Sequence, residues 1–281
     1  MKIGFCMLSW LESVSEADRP LIEAIKATGY DGIEVPIIDG ARGDFARLGR
    51  LLDEIGLERT ALTVMPHGKN PISTDAAERQ AAIDHIAWCL DRAGELGATK
   101  LVGPIHQTLG EFSGLPPSKA ELLLLRDFHR RAGDLAASRG IVIAVEPMNR
   151  FECHLLNTMD NLAVYLDSVG HPAVTGMFDT FHANIEEADP VAALTRHMRH
   201  VGHFHVSESD RGVPGRGHVP WAATFAALKR SGYDGWLTVE AFGRSIPGLA
   251  AATRVWRDFA ESPEAVYRGG YRHIRAGWDA A

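Results

Sequence analysis

The sequence predicts an α/β protein, a single closed (β/α)8 barrel, on three observations. Short apolar runs rich in β-branched residues alternate about eight times with longer stretches of helical periodicity. Spread over 281 residues, that is about 35 per unit, the size of one strand–helix step. The runs IVIAVE and WLTVE are apolar almost throughout, which requires cover on both faces and therefore a parallel sheet wrapped in helices. A doubly wound open sheet is the competing arrangement, but FCMLSWLES, where a glycine-rich phosphate turn would follow the first strand, holds no glycine.

Taken in order, the first strand is assigned to Ile3–Ser9 and its helix to Glu16–Thr28, which Gly29 ends. The second unit pairs Gly32–Pro36 with Asp44–Ile55, and the third pairs Ala61–Met65 with Asp75–Leu96. Gly56 and Gly97 close these two helices, glycine being the residue that most readily takes the left-handed conformation of a helix end. In the fourth unit Lys100–Pro104 leads to Ser118–Arg139, opened by a Ser118–Glu121 capping box and closed by Gly140. Four further pairs complete the set: Ile141–Glu146 with Met159–Val169, Val174–Asp179 with Val191–His197, Val201–Val206 with Trp221–Arg230, and Trp236–Glu240 with Gly248–Phe259. The tail, with Tyr267, Tyr271 and Trp278 among arginines, is expected to form a C-terminal helical extension at about 262–281, packed on the barrel or on a partner subunit. No linker or shift of composition interrupts 1–281, so one domain is expected.

Charge and cysteine usage narrow the function. Thirty-six acidic against twenty-nine basic residues give a net charge of -7, which disfavours a nucleic-acid partner. No apolar run approaches the roughly 20 residues that span a bilayer, and the apolar stretch before Glu12 is short for a secretory signal, so no membrane association is expected. Cys6, Cys89 and Cys153 are odd in number and far apart, which speaks against a disulfide framework and for a cytoplasmic location.

In such a barrel the chemistry lies at the C-terminal ends of the strands. Four consecutive runs end in groups able to hold a metal: Glu146 in AVEPMNR, Asp179 in TGMFDTFH, His205 in GHFHVSE and Glu240 in TVEAF. They are spaced by about 33, 26 and 35 residues, so all four recur at one level of the rim. Any one of them alone is more simply read as a salt-bridged loop residue. Three carboxylates and an imidazole converging among apolar residues need a counter-charge, and an oxygen-rich set with one nitrogen suits Mn2+, Mg2+ or Co2+. Beside them stand Glu152, His182 and Arg211, suited to a hydroxyl-rich substrate, although bracing salt bridges for Arg150 and Arg211 and a plain buried histidine at His182 explain the same residues.

The remaining candidates are weaker. His203 shares a strand face with His205 and is expected as its buried neighbour. His197 and His200 are expected to be solvated or capping. Phe242 and Trp10 are candidates for apolar walls, and His67 and His106 either line a pocket or cap loops. The loop GVPGRGHVPW could cradle a phosphate through its amides or be a plain turn.

The stretches EPMNRFECHLLNT, DTFHANIEE, HFHVSESDRGVPGRGHVPW and TVEAF, with GPI at Gly103–Ile105, resemble the D-tagatose 3-epimerase and D-allulose (D-psicose) 3-epimerase family of xylose-isomerase-like barrels. The resemblance implies one divalent metal, usually Mn2+, on Glu146, Asp179, His205 and Glu240. It also implies that Glu146 and Glu240 form the acid–base pair inverting C3 of a free ketose through an enediolate, with Glu152, His182, Arg211 and, less strongly, Gly103 and Phe242 at the sugar. A homodimer or homotetramer is the expected assembly. Cys6 and His106 stand where relatives often carry aromatic residues, which leaves the preferred sugar open. The alternatives are another isomerase or dehydratase of the same barrel type (acting on a phosphorylated ketose, hydroxypyruvate or an inosose), a non-catalytic sugar-binding barrel, or an apurinic endonuclease. The last is disfavoured because its Asp-x-His pair is missing from SDRGVPGRGHV.

Overall fold

The computed structural model describes residues 1–281. Its eight parallel strands close in chain order into a barrel, with β8 pairing back to β1. They are β1 Lys2–Cys6, β2 Gly32–Pro36, β3 Glu58–Leu62, β4 Lys100–Gly103, β5 Val142–Val145, β6 Val174–Asp179, β7 Val201–Ser207 and β8 Trp236–Glu240. The helices are α1 Arg19–Thr28, α2 Asp44–Ile55, α3 Ala76–Leu96, α4 Lys119–Ala137, α5 Met159–Val169, α6 Thr180–Glu186, α7 Pro190–His197, α8 Trp221–Arg230, α9 Pro247–Thr253 and α10 Pro263–Ala280. None is long and apolar enough to cross a membrane.

The departures from expectation have local causes. The first strand stops at Cys6, and Met7–Ser9 form a 3-10 turn that carries the chain off the sheet. The third strand begins earlier than its apolar run, because Glu58, Arg59 and Thr60 pair with Gly32, Ile33 and Glu34. Helix α1 starts at Arg19, after a separate 3-10 turn at Glu16–Asp18 capped by Ser15. Helix α6 was not anticipated; the Asp179 side chain starts it by accepting the His182 amide. The eighth outer helix is not the Gly248–Phe259 stretch. That helix ends at Thr253, with Arg254 left-handed at φ 61°, and α10 instead packs against α1 and α8 to close the ring.

Side chains of a strand alternate between the two faces, and this decides the site. Outward residues such as Ile143, Val145, Phe178 and Val239 join the apolar layer between strands and helices. Inward residues Cys6, Leu62, Val102, Ala144 and Met177 form a smaller cluster inside the barrel. Glu146 lies two positions after Ala144 and Asp179 two after Met177, so both carboxylates sit on the inward face, just above that cluster.

Candidate active site

All four predicted rim residues are buried, and their ligand atoms converge. Asp179, His205 and Glu240 offer atoms within 4.8 Å of one another, and so do Glu146, Asp179 and His182. His205 Nδ1 lies 3.3 Å from Glu240 Oε1 and 3.7 Å from Asp179 Oδ2. Two atoms bound at right angles to one small divalent ion are about 3 Å apart, so this spacing fits a shared cation. Asp179 Oδ1 is taken by the His182 amide at 2.9 Å, whereas Asp179 Oδ2 and His205 Nδ1 are buried without a hydrogen-bond partner. Buried polar atoms are ordinarily paired, and these two orphans point at the place a cation would fill.

The electrostatics say the same. Burial first, then the Glu240 charge, pushes Asp179 and Glu146 above the usual carboxylate range. Burial would lower His205, but Glu34 and Glu240 outweigh it and hold the imidazole well above its usual value. Glu34 lies below the rim on β2, with Oε1 2.8 Å from His205 Nε2 and Oε2 2.9 Å from both His203 Nε2 and Thr60 Oγ1. It therefore fixes the His205 ring with Nε2–H turned down and Nδ1 turned toward the carboxylates, the usual carboxylate–histidine support of a metal ligand.

A second row of groups closes over the first. Arg211 lies between the rings of Phe181 and Phe242, 4.0 and 4.6 Å from their centroids, and donates to Glu152 at 3.0 Å and Glu240 at 3.4 Å. Asn149 joins this row: its side-chain amide donates to Glu152, and its backbone N–H donates to His182 Nδ1 at 3.0 Å. With Nδ1 accepting, the His182 proton sits on Nε2, which faces Glu146 Oε1 at 3.6 Å.

The family profile described as xylose isomerase-like TIM barrel matches residues 22–276. The chain belongs to the xylose isomerase-like TIM barrel family. Among its relatives, the L-ribulose 3-epimerase of Methylomonas sp. (strain DH-1) is 33% identical over 262 residues, covering 92% of this chain and 91% of the relative. The D-psicose 3-epimerase of Agrobacterium fabrum is 31% identical over 269 residues, covering 92% and 91%. The crystal structure of the Methylomonas D-allulose 3-epimerase in complex with D-allulose superposes with a TM-score of 0.92 at 30% identity, covering 98% of this chain and 96% of that one.

Other predicted residues of this xylose isomerase-like barrel are placed as follows. Gly103 turns the chain at φ 124°, where a β-carbon would lie 2.3 Å from the Thr63 carbonyl, and its own carbonyl accepts the Glu146 amide; its part is in the backbone. His67 is exposed and paired with Glu111, while His106 is fully buried beside Cys153, so neither joins the metal-ligating groups. Arg150 braces its loop through Glu186. His197 and His200 are neither solvated nor capping: they pair with Asp160 and Asp167. Trp10 stacks on Phe5 and lines a cavity that Arg211 and Phe242 also line, as an apolar wall. The glycine loop after β7 does not offer these amides outward, because Glu208 takes those of Gly215 and Val219, Asp210 that of Gly212 and Ser209 that of His218.

Sequence reasoning missed Glu34, Asn149 and Glu208. Glu34 left a usable signal, a lone carboxylate within the otherwise apolar strand GIEVP. Asn149 lay inside a motif already under scrutiny, and nothing local distinguishes Glu208 from a solvated loop residue.

Proposed function

We propose that the protein is a divalent-metal-dependent ketose 3-epimerase, inverting C3 of a free ketohexose or ketopentose of the D-tagatose, D-allulose/D-fructose or L-ribulose type. The observation that carries this reading is the pair of orphaned atoms, Asp179 Oδ2 and His205 Nδ1, set among three buried carboxylates and facing the Arg211–Glu152–His182 row. The family relatives named as 3-epimerases support it.

Glu146, Asp179, His205 and Glu240 would hold a divalent cation, Mn2+ by preference, which would supply Lewis acidity to a bound ketose. The chain's own residues do the rest. Glu146 and Glu240 stand at the ends of β5 and β8, three strand steps apart around the rim, so one carboxylate reaches each face of a sugar lying between them. One removes the C3 proton and the other returns a proton from the opposite side. Arg211 and Glu152 hold sugar hydroxyls as donor and acceptor, and the His182 Nε2–H faces Glu146 Oε1. Glu146 and Glu240 are each only 4% exposed, which keeps bulk water from protonating the enediolate indiscriminately.

We further propose one domain, a cytoplasmic location in keeping with three buried free thiols, and a homodimer or homotetramer. Exposed Leu123 and Val164, in the groove between α4 and α5, support self-association. The test is a panel of ketohexoses and ketopentoses with Mn2+ and with chelator. Interconversion of a ketose with its C3 epimer, lost with chelator and restored by Mn2+, is the expected result. Turnover unaffected by chelator would overturn the metal dependence, and isomerisation to an aldose alone would overturn the 3-epimerase reading.

A further inference from the structure

Glu208, the first residue after β7, is completely buried and has no cationic side chain in salt-bridge contact. Its charge is met instead by N–H groups of its own loop. Oε1 accepts from the amides of Ser209 at 2.8 Å and Val219 at 3.3 Å. Oε2 accepts from the Gly215 amide at 2.8 Å and the Trp221 indole at 2.9 Å. The loop is closed tightly around this carboxylate: a β-carbon at Gly217 would lie 2.4 Å from Oε1, and Gly215 is left-handed at φ 89°. Converging amides of this kind bind phosphate in other proteins, and the loops after strands 7 and 8 are where barrel enzymes commonly hold one.

The same loop carries Arg211. The Arg211 amide donates to the Glu208 carbonyl at 2.8 Å, and the Arg211 carbonyl accepts the Phe242 amide at 2.9 Å. Arg211 is left-handed at φ 62°, a strained state for a residue with a side chain, which persists only where surroundings hold it. Nearby Arg244 is paired with Asp258, and Arg216 is exposed on the loop.

We propose that Glu208 is a positioning and specificity residue: its carboxylate is the anion around which the loop from Ser209 to Trp221 folds, fixing Arg211 over the site and leaving no amide nest for a phosphorylated ketose. The positioning half rests on the reading above that Arg211 contacts the sugar. The exclusion half follows from the loop itself: the enzyme takes uncharged ketoses because its anion site is filled from within the chain.

The tests use Glu208→Gln, Glu208→Ala and Trp221→Phe in the full chain, with Mn2+ affinity measured alongside. Glu208→Gln should raise KM for D-allulose by about tenfold or more with a smaller change in kcat, and leave Mn2+ affinity within about twofold. In Glu208→Ala, formate should occupy the emptied nest, raising Tm and lowering KM, with no such effect on the wild-type protein. The Tm readout needs no turnover, so it separates this proposal from the epimerase reading. Unchanged KM in Glu208→Gln overturns the positioning role, and a formate-insensitive Glu208→Ala overturns the internal anion. If neither Glu208 variant is soluble, Trp221→Phe, which removes a single donor, should still raise KM by about threefold; an unchanged KM there also counts against the proposal. A ketose phosphate turned over at least as well as the free sugar would overturn the exclusion.

Discussion

Two sets of buried carboxylates divide this barrel. Glu34 and Glu208 are saturated by the chain, one by two imidazoles and a hydroxyl, the other by four N–H groups. Burial alone would raise both, yet the two imidazoles beside Glu34 and the N–H groups around Glu208 hold them below the usual range. Glu146 and Asp179 are similarly dry and are pushed the other way, by burial first and then by the neighbouring Glu240 charge. Burial by itself therefore does not mark a functional carboxylate. A carboxylate satisfied from within organises the scaffold, and one left short is available to a cation or a substrate hydroxyl.

The largest effect is expected at the rim beside Glu146 and Asp179, where Glu240→Gln should lower kcat of the Mn2+-saturated enzyme by roughly a thousandfold or more. Near-normal turnover would move the proton transfer to another group. Next comes Asp179→Asn, which removes an orphaned oxygen and should weaken Mn2+ binding by about a hundredfold in a calorimetric titration. Glu34→Gln sharpens the comparison from the other side. An amide facing Nε2 can hold the His205 proton on Nδ1, so Mn2+ affinity should fall by about tenfold to a hundredfold although Glu34 is not one of the four proposed ligands. An affinity equal to the wild type would make Glu34 a packing residue only.

Proton linkage separates the sets more finely. Asp179 is raised to about 7 by burial and by Glu240. Below that pH a cation must displace a proton, so affinity should fall by about tenfold per pH unit for each proton released. Calorimetry in buffers of different ionisation heat counts those protons. The smallest effect concerns stability. Burial lowers His106 and His129 to about 3, whereas an unfolded histidine titrates near 6.5. Between these values the unfolded chain binds more protons. These imidazoles therefore contribute stability that is present above about pH 6.5 and lost as pH falls, by up to about 1.4 kcal/mol per pH unit each. His106→Gln should flatten the Tm-against-pH slope of the Mn2+-loaded protein below pH 6.5.

The same contrast explains what was legible in the sequence. Glu146, Asp179, His205 and Glu240 close apolar runs, and strand periodicity turns all four inward to one level, so a local pattern revealed a three-dimensional cluster. The barrel was readable for the same reason, since each strand–helix unit carries its own period and its own glycine stop. Glu34 acts through a partner far away in sequence, since His205 lies 171 residues from it, whereas the partners of Glu208 lie within 13 residues but are mostly backbone amides, which no side-chain pattern marks. The misplacement of the eighth outer helix has a related cause. Gly248–Phe259 has helical composition, but it is the apolar face of α10, with Val266, Tyr267 and Ile274 buried, that covers β8 and β1.

The central claim is that Glu146 and Glu240 move the C3 proton of a ketose. Incubation of the Mn2+-loaded enzyme with D-allulose in heavy water, followed by NMR, tests it directly. Deuterium should appear at C3 of the ketose and its epimer and at no other carbon. Label confined to C1, or epimer formed without any label, would contradict it.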